Sequence, residues 1–161
     1  MLASATPDRE LVTTFFPKRK MPEVTATRPN AERVTYVKKA ERYVPGPNTG
    51  FIDYCNATLV PAMEMSGGFG VFEPGGRLPA HLHDFDESIC IVNGAATCVV
   101  EGRRHALDNL GTALQPRGRV HYFINESNAP MAMLWFYAGP QPERLVVDEA
   151  CAVDPGVAWS A

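Results

Sequence analysis

The chain has four histidines, His81, His83, His105 and His121, and three of them stand where they could share a metal ion. His81 and His83 are two apart on a segment that reads as a strand, so both imidazoles leave it on the same face. Glu87 follows across the short link Asp84-Phe85-Asp86 and opens the next predicted strand with a carboxylate able to turn back toward them. If Glu87 faces inward, Ile89 and Ile91 share its face as an apolar lining, while Ser88, Cys90 and Val92 take the other. His121 comes much later, with Phe123 on its own face. Three neutral imidazoles and one carboxylate suit one divalent first-row ion (Fe, Mn, Ni or Zn) and leave coordination positions open for water or substrate. Because each imidazole must be neutral to bind, affinity is expected to fall below about pH 6.

The elements that must position these groups are short. Between residues 66 and 138 the sequence alternates strand and turn, with no amphipathic helical pattern. Gly68–Phe72 ends at the turn Glu73-Pro74-Gly75-Gly76, and Glu87–Val92 is closed by the hairpin dipeptide Asn93-Gly94. Arg77–His83, Ala95–Val100, Arg104–Leu107, Thr112–Leu114, Val120–Ile124 and Ala132–Tyr137 read as further strands, with Leu145–Val147 as one more. Upstream, 33–38 alternates well enough for a strand, and 49–60 could be a strand with its lead-in. Such spacing predicts an all-β sandwich or barrel. Gly75, Gly94 and Gly118 can each supply a positive φ at a turn. Asn125 reads as a turn-capping side chain, and Cys90 and Cys98 as small hydrophobes in the wall. Met131, Met133, Trp135 and Tyr137 alternate on the last long strand; core lining is the default for them, and shaping a pocket is the alternative. Arg77 and Tyr122 are candidate polar contacts for a substrate or plain surface positions. His105, beside Arg103 and Arg104, reads as a surface residue.

Two segments resemble the paired motifs of the cupin superfamily. Gly75, His81, His83, Glu87 and Gly94 occupy the five fixed positions of the first motif. Pro116, Gly118, His121 and Asn125 occupy those of the second, with one departure: Gly111 sits one residue too close to Pro116. The resemblance implies a cupin-type double-stranded β-helix, a jelly-roll barrel, with the metal held near its centre by His81, His83, Glu87 and His121. The expected organisation is an irregular N-terminal arm over 1–32, a single barrel over 33–150 and a C-terminal tail over 151–161. Relatives of this kind commonly pair through an N-terminal arm or sheet. That implies a homodimer here, with 33–60 as a candidate contact.

Composition bounds the function. The 161 residues carry a net charge of −3 and no broad basic face, which argues against nucleic acid as a partner. No run approaches the roughly 20 apolar residues that span a bilayer, so no membrane partner is expected. The first residues do not pair a charged segment with an apolar one, and the four cysteines are scattered. A disulfide framework is not expected, and a reducing cytoplasm is the default. Small-molecule chemistry remains. The lead reading is a dioxygenase-type oxidoreductase acting on an enediol, diketone or catechol-like molecule. The alternatives are a metal-dependent isomerase, lyase or decarboxylase on a small sugar or hydroxy-acid, and a non-catalytic binding barrel. Fold alone does not separate them.

Overall fold

The computed structural model describes residues 33–61, 63–141 and 143–152. The arm expected over 1–32 and residues 153–161 of the expected tail lie outside the described residues. Ten strands run β1 Thr49–Cys55, β2 Ser66–Phe72, β3 His81–Leu82, β4 Glu87–Asn93, β5 Ala96–Val100, β6 Arg103–Leu107, β7 Thr112–Gln115, β8 His121–Ile124, β9 Met131–Tyr137 and β10 Leu145–Val146. A 3-10 turn spans Glu149–Ala152, and no α-helix occurs among the described residues. The strands form two antiparallel sheets, ordered β1-β2-β9-β4-β7 and β10-β3-β8-β5-β6. This is the all-β jelly roll that the alternation of strand and turn predicts.

The inward faces follow the two-residue period of a strand. On β4, Glu87, Ile89 and Ile91 are buried while Ser88 is exposed. On β9, Met131, Met133, Trp135 and Tyr137 are buried, and the register sets Glu87 opposite Tyr137, Ile89 opposite Trp135 and Ile91 opposite Met133. The second sheet contributes Cys98, Phe123 and His121 to the same interior. One end of the barrel is therefore polar, around His121 and Glu87, and the rungs below it are apolar.

Large rings fit inside because β2 withholds side chains. A Cβ at Gly68 would run into the Ile52 carbonyl oxygen and come within 2.6 Å of the Trp135 ring, and one at Gly70 would lie 2.6 Å from Phe51. Gly75, Gly94 and Gly118 have φ of +75°, +79° and +75°, as their turns require. Asn125 is fully buried; its amide donates to the carbonyls of Phe72 and Ala129, and its oxygen accepts from Ser127. It therefore braces a turn, as expected.

Three expectations about elements need correction. Residues 33–38 do not form a strand: 33–36 is irregular, and a turn follows in which Lys39 and Ala40 donate to the Tyr36 carbonyl. The alternation there finds no neighbouring strand among the described residues, and Val34 and Tyr36 remain exposed. The strand expected over 49–60 stops at Cys55, because the Asn56 side chain accepts from the Leu59 amide and donates to Asp53, starting a turn. The strand expected over 77–83 is reduced to His81–Leu82, with a lone bridge from Arg77 to Ile124.

Candidate metal centre

His81 and His121 are direct cross-strand partners on β3 and β8, and their ring centroids are 4.5 Å apart. His83 lies just beyond β3, in the loop that leads to β4, and its ring centroid is 4.9 Å from that of His121. Two bonds fix this loop. Gly118 N donates to the His83 carbonyl at 2.8 Å, and Arg117 N donates to Asp86 Oδ1 at 3.0 Å. The Pro116-Arg117-Gly118 turn thus holds the loop that carries His83 while feeding β8, which carries His121. Glu87, the first residue of β4, enters from the facing sheet. One ligand atom from each of His81, His83, Glu87 and His121 lies within 4.8 Å of all the others, and all four residues are buried. The structure brings together every member of the set expected from the sequence.

The hydrogen bonds orient the rings. Nδ1 of His81 is 2.8 Å from the Pro79 carbonyl oxygen, Nδ1 of His83 is 2.7 Å from that of Phe85, and Nδ1 of His121 is 2.8 Å from that of Arg119. A carbonyl oxygen only accepts, so each Nδ1 carries a proton and donates it. That leaves each Nε2 as the ring atom that a metal could use. Nε2 of His83 and of His121 stand 3.1 Å and 3.0 Å from the same Glu87 Oε2. Such contacts close when a proton bridges nitrogen and oxygen, or when a cation takes the proton's place. The donor set therefore fits a divalent ion, and the cluster could hold one.

The electrostatics agree. Burial, then the neighbouring His121 and the Arg144 charge, push the His81 imidazole down to about 3, so it stays neutral. Burial works to raise the Glu87 carboxyl, but the bonds with His121 and His83 outweigh it and hold the group at about 2, so it stays ionised. Burial pushes the Tyr137 phenol well above its ordinary range, with Glu87 adding to the effect, and lifts the Cys98 thiol to about 12.

The other candidates separate into two groups. Met133 and Trp135 line the interior on the rungs beside Ile91 and Ile89. Arg77 and Tyr122 lie away from the cluster. Tyr122 points oppositely to His121 and Phe123 on β8; the Arg77 guanidinium stacks 5.3 Å over its ring and pairs with Glu149. His105 is exposed, as expected. Two residues near the site, Gln115 and Arg144, were not singled out by the sequence, and Tyr137 was named only among the alternating residues that line the core or shape a pocket. Gln115 faces Glu87 across β7, donates to Cys98 Sγ at 3.2 Å, and has a buried Oε1 without a partner among the described residues. The Tyr137 ring lies 4.6 Å from that of His83, and its hydroxyl accepts from Arg144 Nε at 3.1 Å. Arg144 precedes β10, whose pairing sets Val146 opposite His81. The alternation on β9 pointed to Tyr137, but nothing local marks Arg144.

Residues 68–137 match the family model described as Cupin domain. No curated protein matches the chain. Among solved structures, a polyketide cyclase from Streptomyces resistomycificus is similar at 17% identity and TM-score 0.63, covering 73% of this chain and 86% of its own. An RmlC-like cupin from Shewanella frigidimarina follows at 15% identity and TM-score 0.58, covering 70% and 95%. A cupin sugar phosphate isomerase from Silicibacter pomeroyi is similar at 19% identity and TM-score 0.57, covering 68% and 76%. At such identities these likenesses speak to the fold alone.

Proposed function

We propose, from the premise that residues 68–137 are a cupin domain, that this protein is an enzyme acting on a small oxygen-rich molecule at one divalent metal ion, with dioxygenase-type oxidation as its chemistry. One observation carries the metal: three imidazoles held at Nδ1 by backbone carbonyls converge with a single buried carboxylate, with one ligand atom from each within 4.8 Å of all the others. A bound divalent ion supplies polarisation of substrate oxygens and, when it is iron, access to dioxygen chemistry.

The protein's own contribution is orientation and exclusion of water. The carbonyls of Pro79, Phe85 and Arg119 fix the three rings before anything binds. Below the cluster, Ile89, Trp135 and Phe123 form a dry floor that strengthens electrostatic interactions at the site. The Gln115 Oε1 and the Trp135 Nε1 are buried with no partner among the described residues, so an acceptor and a donor remain for a bound molecule. A shortage of spare bases favours oxidation over isomerisation. Among the described residues no carboxylate, imidazole or amine beyond the four is buried. Burial holds the Tyr137 and Cys98 protons in place. Proton abstraction by a dedicated side chain, which an isomerase or lyase would use, finds no ready group.

The test is oxygen consumption by iron-loaded protein over a panel of enediols, 1,3-diketones and catechols. Substrate-dependent uptake that disappears in H121A is expected. Turnover that persists without dioxygen, after exchange to zinc or manganese, would replace this reading with an isomerase or lyase. Binding without turnover under either condition would leave a binding barrel.

A further inference from the structure

Among the described residues, Arg144 is a cation without a paired anion. Its Nε donates to Tyr137 Oη at 3.1 Å, and its guanidinium carbon lies 5.6 Å from the centre of the Phe51 ring. It makes no other hydrogen bond to the described residues, and none of their carboxylates is within ion-pair distance. Asp53 is engaged by the Tyr43 hydroxyl and the Asn56 amide. The guanidinium nevertheless stands beside the cluster: the Tyr137 it bonds packs 4.6 Å from the His83 ring and lies opposite Glu87 in the sheet. The β10–β3 pairing explains why: with Leu145 opposite Leu82 and Val146 opposite His81, Arg144 falls at the level of His83.

Count the charges at this end of the barrel. Three neutral imidazoles, one carboxylate and a divalent ion leave a net positive site, and Arg144 adds a second positive charge with no buried acid to offset it. An uncompensated charge in a low-dielectric interior is unfavourable, and an anion entering between the two cations removes the imbalance. The guanidinium is free at its two terminal nitrogens, the edge that meets a carboxylate in two parallel hydrogen bonds. Tyr137 acts as its positioning residue: the phenol oxygen accepts from Nε while the same ring packs 4.6 Å from that of His83 and stands opposite Glu87 in the sheet, so the fork is tied to the residues of the cluster.

We infer that Arg144 is the anion-binding residue of this site, and that the substrate is a small carboxylate with an oxygen on the neighbouring carbon: a 2-hydroxy or 2-oxo acid, or an enediol bearing a carboxylate. This rests on the metal reading above. The neighbouring oxygen and one carboxylate oxygen would face the cluster, and the carboxylate's outer edge would face Arg144.

Calorimetric titration of manganese-loaded protein, its metal content fixed beforehand by elemental analysis, tests this. The ligands are glycolate, lactate and mandelate, each against its neutral amide. The acids should bind about tenfold more tightly than the amides, or better. R144Q should keep its metal and lose that preference, and R144K, with the charge but not the fork, should keep part of it. Should R144Q fail to fold, R144K decides: a preference for acid as large as the wild type's overturns the role of the guanidinium fork. Loaded protein that binds amide and acid alike, or R144Q with its preference intact, overturns the role of Arg144 and leaves the metal reading standing. Protein that takes up no metal removes both.

Discussion

His121 touches every part of the cluster. It pairs with His81 across the sheet, packs its ring against that of His83, and faces Glu87 through Nε2. H121A should therefore strip most of the metal, as should H81A, and elemental analysis of the purified variants reads this out. E87Q should retain more metal than either, since a neutral amide oxygen still coordinates, while losing activity that needs the carboxylate charge. Acid titration of the metal-free protein gives a second check. Folded His81 resists a proton that the unfolded chain accepts below pH 6.5, so stability falls as pH drops from there toward 3. The loss should reach about 2 kcal/mol by roughly pH 5. Glu87, held low, adds a further loss in the same direction below pH 4.5. A denaturation midpoint that stays flat from pH 7 to 5 would contradict a neutral, buried His81. At this scale the sequence was legible where chemistry sits in a local motif, as at His81, His83 and Glu87. Arg77 and Tyr122 were candidates by residue type, but strand alternation turns Tyr122 away. Arg144 was invisible because its place depends on a strand pairing between distant segments.

Strands and turns decide whether those side chains meet. β2 does so by omission: Gly68 faces the interior opposite Trp135, and the indole occupies the volume its side chain would take. G68A should destabilise the fold by about 1–3 kcal/mol and shift the tryptophan emission, because both the Ile52 carbonyl and the Trp135 ring must move. G50A on β1 has nothing within 4 Å of the added carbon and serves as the control, with a change of about 0.5 kcal/mol or less. Equal effects of the two substitutions in chemical denaturation would contradict this packing. The sequence announced β2, β4, β5 and β9 through alternation and turn dipeptides, because each fills a long, regular place in a sheet. It misplaced 33–38, where alternation has no partner, and it overextended β3, where the chain leaves the sheet after Leu82 to form the His83 loop.

For the molecule as a whole, a site assembled from both sheets exists only when the barrel is closed, so the metal should bind the folded chain and stabilise it. At a free metal concentration of about 100 times Kd the gain is about 2.7 kcal/mol, a rise in Tm of roughly 5–10 °C for a chain of this size. Differential scanning fluorimetry should show that rise for wild type and not for H121A. The jelly roll itself was legible from composition and turn chemistry, since short strands between tight turns leave few other closures. The direct test of the account is the metal content of the purified protein, measured alongside H121A. About one equivalent of a single divalent first-row metal in the wild type, and little in the variant, is the predicted result. Wild-type protein that carries none, and takes up none when offered iron, manganese, nickel or zinc, would contradict the account at its centre.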